Sequence, residues 1–219
     1  IIKNKNTTLV VGLLSQENRK LFNSLIFINA TGKIDYKYDK IHLVPFGEYI
    51  PFRNKLKKIA NFLSPRDFST GVMKENIKLR GFGEIITLIC YEILFSNEVN
   101  RRISDNTKLI INITNDAWFG NTIGPYQHLA LAKIRAVETG LPLVRVANTG
   151  ISAFISPYGE EIVKISLNKE SVREVKLIPP LDQTLYKNFG DLIFAISILY
   201  LIFINFLIFY FQRKVSYVK

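Results

Sequence analysis

The sequence predicts an α/β fold, a sandwich with helical layers on both sides of the sheet. Three observations carry this. Short runs of aliphatic and β-branched residues, bounded by glycine, proline or polar residues, recur through the first 165 positions. Stretches of helical periodicity fall between them, and turn signals join some of the runs as hairpins. Strands that alternate with helices and also form hairpins indicate layers of helix against sheet.

Taken in order, residues 7–14 (TTLVVGLL) read as a strand and residues 16–23 as a polar break. Residues 24–29 (SLIFIN) and 34–38 read as a hairpin around Ala30-Thr31-Gly32-Lys33. Residues 38–52 (YDKIHLVPFGEYIPF) hold two prolines and a glycine among aromatics, which excludes a long regular element and indicates a shaped loop. Loops of this kind often carry function. Residues 53–63 (RNKLKKIANFL) place Leu56, Ile59, Ala60 and Leu63 at helical spacing, predicting a short amphipathic helix with a solvated basic face. A loop over 64–71 and an edge at 77–80 follow.

The run ending in Ile85-Ile86-Thr87-Leu88-Ile89-Cys90 is a short buried strand, with a helix predicted over 97–102. Residues 108–114 (KLIINIT) form a second buried strand that ends in NDAWFG. Residues 127–139 (QHLALAKIRAVET) form a helix that turns Leu129, Ala132, Ala136 and Ile134 toward the sheet and leaves Lys133, Arg135 and Glu138 to solvent or partners. Three more strands are predicted over 143–147, 151–155 and 161–165, the last two joined by Ser156-Pro157-Tyr158-Gly159.

The end of the chain differs in character. Residues 192–211 are twenty consecutive uncharged residues, which matches the ~20 needed to cross a bilayer. Arg213, Lys214 and Lys219 follow in a short tail, so the positive-inside rule puts residues 212–219 in the cytoplasm and the preceding domain outside the cytoplasmic membrane. A mean hydropathy of +0.15 agrees with membrane association. The net charge of +11 comes from Lys and Arg that are scattered apart from residues 53–58, with no nucleic-acid motif. Attraction to an anionic membrane surface explains it better than nucleic acid. At 219 residues the chain suits one domain and an appendage, and its first residue, Ile1, is not Met, so a C-terminal piece of a longer protein is expected.

Cys90 is the single cysteine, so it has no disulfide partner within the chain and is explained by packing or by reactivity. A cysteine nucleophile needs a base, a positive group or amide donors for the oxyanion, and exclusion of water. The two histidines, His42 and His128, form no papain-type arrangement, so a Cys-His dyad is the weaker option. Lys40 and Glu48, in the proline-bracketed loop, supply an ammonium and a carboxylate. This chemistry calls for no metal and no cofactor.

The strings YDKIHLVPFGEYIPF, ITLICYE and NDAWFG, followed by GPYQHLALAKIRAVETGLPLVRVANTGISAFISPYGE, resemble the carbon-nitrogen hydrolase (nitrilase) superfamily. Within it they resemble the apolipoprotein N-acyltransferase family of the bacterial inner membrane, over most of residues 7–165. The resemblance implies an α-β-β-α sandwich over residues 1–180, lacking its N-terminal part, and makes the span over 192–211 that family's last. It implies Cys90 as nucleophile, Lys40 as catalytic lysine and Glu48 as a supporting glutamate. Tyr91 and Glu92 flank the nucleophile, Trp118 lies in a loop for lipid access, and these three are the substrate-binding candidates. The general base, a glutamate, is expected before Ile1. The implied partners are a phospholipid acyl donor, a diacylglyceryl-apolipoprotein acceptor and the membrane. Two other readings use the same residues differently: a membrane-anchored amidase acting on a small C–N substrate, and a non-catalytic lipid-binding relative.

Overall fold

The computed structural model describes residues 7–53, 55, 66–73, 75–79 and 81–216. Three strands, β1 (Leu9–Glu17), β2 (Lys20–Ile28) and β3 (Ile34–Asp39), form an antiparallel sheet in that order. The polar break expected at 16–23 is instead the tip of a tight hairpin. Glu17 pairs with Lys20, and the two residues between them, Asn18 and Arg19, both have positive φ (48° and 65°). That conformation matches the right-handed twist of the flanking strands. The apolar pattern fades there because this end of the hairpin is solvated, which is a matter of burial and not of strand geometry.

A six-stranded sheet has the order β4 (Ile77–Leu79), β5 (Gly83–Ile89), β6 (Thr107–Asn115), β7 (Leu143–Asn148), β8 (Ser152–Ile155) and β9 (Glu161–Ile165). The strands β5, β6 and β7 are parallel, and the outer pairings are antiparallel. The parallel crossovers run through α1 (Ser96–Arg101) and α2 (Gly124–Thr139). In β5 the period of two divides the core: Ile85 and Ile89 meet Leu25, Phe27 and Tyr38 of the three-stranded sheet, while Ile86 and Leu88 join Leu129, Ala132 and Ala136 of α2. A strand covered on both faces reads as an unbroken apolar run, which is why ITLI lacks alternation. Ile85 and Ile86 are buried, each worth about 1.5–3 kcal/mol. Three layers of the expected α-β-β-α sandwich therefore lie among the described residues: helices, six-stranded sheet and three-stranded sheet.

Helix α2 ends on Gly140 in the left-handed conformation (φ 67°), where a Cβ would press on Thr184 at 2.8 Å. Two expectations for this helix are corrected. Ile134 is exposed, and Arg135 is buried, donating from Nε to the Ile93 carbonyl (3.1 Å) and pairing with Glu138. A long side chain can place its charge on a partner beneath the helix, so charge alone does not put a residue on the outer face. The chain then reaches α3 (Leu185–Phe189), capped by the Thr184 hydroxyl accepting from the Lys187 amide, and α4 (Leu192–Ser216). Residues Leu192–Tyr210 of α4 carry a mean hydropathy of 2.8 with none of that stretch buried, so this helix is long and apolar enough to cross a membrane. The amphipathic helix predicted over 53–63 lies outside the described residues apart from Arg53 and Lys55.

Candidate active site

Strand β5 ends at Ile89, and Cys90 begins a short 3₁₀ turn, Cys90–Leu94, at the carboxyl edge of the parallel strands, where open α/β sheets bind their ligands. The Cys90 backbone has φ of 52°, a left-handed conformation that costs a residue other than glycine roughly 1–2 kcal/mol. Two sets of contacts hold it. Glu92 reaches back within the turn and accepts from the Ile89 amide (2.7 Å). The Cys90 carbonyl faces the Asn112 amide nitrogen and His128 Nε2, each at 3.3 Å. The thiol itself is partly exposed.

Lys40 follows directly on β3, tied by its amide to the Asn23 carbonyl (2.8 Å). Its ammonium donates to Glu48 Oε2 at 2.6 Å, with side chains only 1% and 8% exposed. Glu48 also accepts from the Val44 amide (2.8 Å) and the Asn23 side chain (3.0 Å), so the proline-bracketed loop is wound around this carboxylate. Gly71 packs so closely on the Asp39 backbone beside Lys40 that a Cβ there would collide with it.

Glu92 links the two parts. Besides the Ile89 amide it accepts from the amides of Ile41 (2.7 Å) and His42 (3.2 Å), the residues after Lys40, and from the Tyr38 hydroxyl (2.9 Å). One carboxylate therefore fastens the lysine's loop to the cysteine's turn. Burial raises its pKa, against the lowering effect of these donors, and burial and then the Glu92 charge push the Tyr38 hydroxyl up as well. Expected among the substrate-binding residues, Glu92 is 3% exposed with both oxygens engaged from within the protein.

Tyr91 packs edge-on against Phe95 (5.3 Å), and His42 lies over the other side of that cluster at 4.2 Å from the Phe95 ring, paired with Glu98. A cleft of about 430 Å³ is lined by the residues that follow Lys40, Ile41, His42 and Leu43, with Tyr49, Asp67 and Phe68. In the 3₁₀ turn Asp116–Phe119, Asp116 points inward while Trp118 is 69% exposed. Phe119 and Ile123 are exposed beside it.

A buried polar group behind the Cys90 turn was not anticipated. Asn112 and Arg145 stand opposite each other in the β6–β7 register, so their side chains share one face. Arg145 donates to Asn112 Oδ1 (2.8 Å), to Asp116 Oδ2 (2.7 Å) and to the Ile151 carbonyl (3.2 Å). Asp116 Oδ1 also meets His128 Nδ1 at 2.8 Å. Burial acts to raise the Asp116 carboxyl, but the His128 hydrogen bond and the charges of Arg145 and His128 reverse this and hold it below the usual carboxylate range. Burial lowers Arg145 against the pull of Asp116. The signal for this group was present in the sequence: an asparagine and an arginine inside the buried runs KLIINIT and LVRVAN need partners. Among the described residues, no cluster of His, Cys, Asp or Glu is arranged to hold a metal ion.

Comparison with known proteins adds sequence relatives and fold neighbours. The chain is 41% identical to the apolipoprotein N-acyltransferase of Rhodopseudomonas palustris over 82% of this chain and 34% of that protein. It is 36% identical to the one from Rickettsia prowazekii, over 95% of this chain and 43% of that protein. The chain thus spans about a third to two fifths of the length of these relatives. Among solved structures, an amidase of the nitrilase superfamily from Nesterenkonia (18% identical, TM-score 0.56, 76% of this chain and 61% of that one) shares the fold. So does a carbon-nitrogen hydrolase from Helicobacter pylori (17%, TM-score 0.56, 75% and 60%). The profile of the carbon-nitrogen hydrolases matches residues 1–181, most of the chain, and the fold agrees, so the chain belongs to the carbon-nitrogen hydrolase family.

Proposed function

We propose that the chain is the catalytic portion of an apolipoprotein N-acyltransferase, with Cys90 as the acyl carrier. What carries the reading is the tie between the strained Cys90 turn and the Lys40–Glu48 loop through Glu92, in a chain whose relatives bear that name. In the first half-reaction the Cys90 thiolate attacks an ester carbonyl carbon of a phospholipid. A C–S bond forms, and Lys40 with the Tyr91 backbone N–H holds the oxyanion. The C–O bond then breaks and a lysophospholipid leaves with a proton. In the second, the α-amine of a diacylglyceryl-cysteine attacks the thioester carbonyl carbon, the C–N bond forms, the amine's proton passes to the general base, and the C–S bond breaks to release the thiolate. Glu48 is occupied by Lys40, Val44 and Asn23, and Glu92 by Tyr38 and three amides. Neither is free to take the thiol proton, so we assign that step to a glutamate elsewhere in the full-length protein.

Helix α4 lies in the inner membrane in this reading, with the catalytic layers on the periplasmic side and the basic tail in the cytoplasm. That arrangement keeps a site for two lipid substrates at the bilayer surface, and the exposed Trp118 sits on the path of the acyl chain. The test is intact-mass analysis of the full-length protein in detergent after incubation with phospholipid, beside Cys90→Ala. Expected is a gain of one fatty acyl chain in the wild type alone, discharged by a diacylated lipopeptide. Ammonia release from small amides with no acyl adduct would replace this reading by an amidase, and inertness to both by a non-catalytic lipid binder.

A further inference from the structure

The group behind the nucleophile contains an unusual hydrogen-bonding demand. His128 Nδ1 lies 2.8 Å from a carboxylate oxygen of Asp116, and His128 Nε2 lies 3.3 Å from the Cys90 carbonyl oxygen. Both facing atoms are acceptors only. A neutral imidazole has a single N–H, so it satisfies one of them and turns a lone pair toward the other. With protons on both nitrogens His128 satisfies both. It is buried, as are Asp116 and the Arg145 that shares this carboxylate.

We propose that Asp116, His128 and Arg145 form a charged positioning platform for Cys90, in which His128 is an imidazolium that donates Nδ1–H to Asp116 and Nε2–H to the Cys90 carbonyl. Arg145 and His128 against the single carboxylate leave one positive charge in excess next to the turn that carries the sulfur. Two consequences follow. The second donor on the Cys90 carbonyl, beside Asn112, fixes the left-handed backbone that aims the thiol out of the sheet. The excess charge lies behind the turn that carries the sulfur and attracts negative charge there. Among the described residues, His128 is hydrogen-bonded to Asp116 and the Cys90 carbonyl and lies against the Phe119 ring (6.2 Å between centroids), and Asp116 is the one carboxylate bonded to it. His128 touches no reacting atom; it is a positioning residue that acts through Cys90.

The inference rests on Cys90 being the nucleophile, but its test does not need acyl transfer. In the intact protein in detergent, ¹⁵N-histidine spectra are recorded for the wild type and for His128→Gln, and the signal lost in the variant is read. Expected is the shift pair of a doubly protonated ring; the pair of a neutral tautomer, with one bare nitrogen, overturns the proposal. The second readout is the rate of Cys90 alkylation by iodoacetamide at neutral pH, measured by mass. Glutamine keeps an N–H donor within reach of the Cys90 carbonyl and removes the charge, so alkylation is expected to slow about tenfold, the order expected for one charge at several ångströms in a protein interior. Wild-type alkylation in a folded His128→Gln protein overturns the proposal even if the phospholipid adduct forms. A His128-dependent rate with no acyl adduct keeps the platform and removes the acyltransferase reading. Should His128→Gln fail to fold, His128→Asn gives the assignment by difference, and the same two spectral outcomes decide.

Discussion

The site has two buried ion pairs, and they are built on opposite plans. Lys40–Glu48 hangs on a loop. Its order comes from Asn23, the Val44 amide and the Glu92 clasp, and the residues after Lys40 line an open cleft. Arg145–Asp116 joins the middle of one strand to the end of its neighbour, with Asn112 and His128 closing the group and both pair members enclosed. One plan sets a buried pair on a loop, and the other locks it into the sheet. The proposed mechanism gives them separate tasks, the lysine to hold a transient oxyanion and the strand pair to keep the turn that presents the sulfur from yielding.

If this contrast is right, breaking each pair has a different result. Arg145→Ala leaves Asp116 buried with one partner gone, and about 3–5 kcal/mol of stability is expected to be lost. Denaturant unfolding of the intact protein measures it. Lys40→Ala leaves Glu48 with two donors, Asn23 and the Val44 amide, where Arg145→Ala leaves Asp116 with His128, so its stability cost should be below that of Arg145→Ala. Its effect should fall on chemistry, slowing acyl-adduct formation about 10²–10³-fold, as for loss of one oxyanion donor. Equal destabilisation by the two variants would mean that the pairs are not different in kind.

Acid sharpens the same comparison. The folded pKa of Asp116 is held below the ordinary carboxylate range, so the folded state holds its proton less tightly than the unfolded chain does. Its contribution is full above the ordinary carboxylate pKa of about 3.9 and is lost as pH falls through the depressed folded value. The stability gap between wild type and Asp116→Asn should therefore be widest near neutral pH and narrow below about pH 4. A gap that does not change with acid would show that Asp116 supports the turn by shape alone.

The same contrast governs what the sequence revealed. The loop side was legible: prolines and glycine mark residues 38–52 as shaped, and a lysine and a glutamate eight apart within it stand out as chemistry. Cys90 was legible too, as the last residue of an apolar run. The strand side was not. In sequence Arg145 reads as one residue of an ordinary strand and His128 as part of an ordinary helix, because their partners, Asp116 and Asn112, become neighbours only through the β6–β7 register and the packing of α2. Tertiary register decides this, and no local pattern encodes it. Arg135 was misjudged for the same reason: the Ile93 carbonyl it reaches lies 42 residues away. The β1–β2 turn failed in the other direction, through local chemistry, since Asn18-Arg19 lacks the glycine that usually marks such a turn.

The smallest expected effect tests how the apolar helix is held to this site. Asp191, the residue before α4, accepts from the Asn97 side chain (2.7 Å) and from the Tyr186 hydroxyl (2.8 Å), and Asn97 lies in α1, which begins two residues after the Cys90–Leu94 turn. The membrane-length helix and the Cys90 turn are thus joined through one short helix. These are exposed hydrogen bonds, so Asn97→Ala should cost no more than about 1 kcal/mol of stability. If the clasp sets the height of the sulfur above the bilayer, the variant loads its acyl chain more slowly from phospholipid in vesicles yet reacts normally with a short-chain soluble thioester. Equal slowing with both donors would instead show that the clasp acts on the turn itself, and would place α1 with the rigid half of the site.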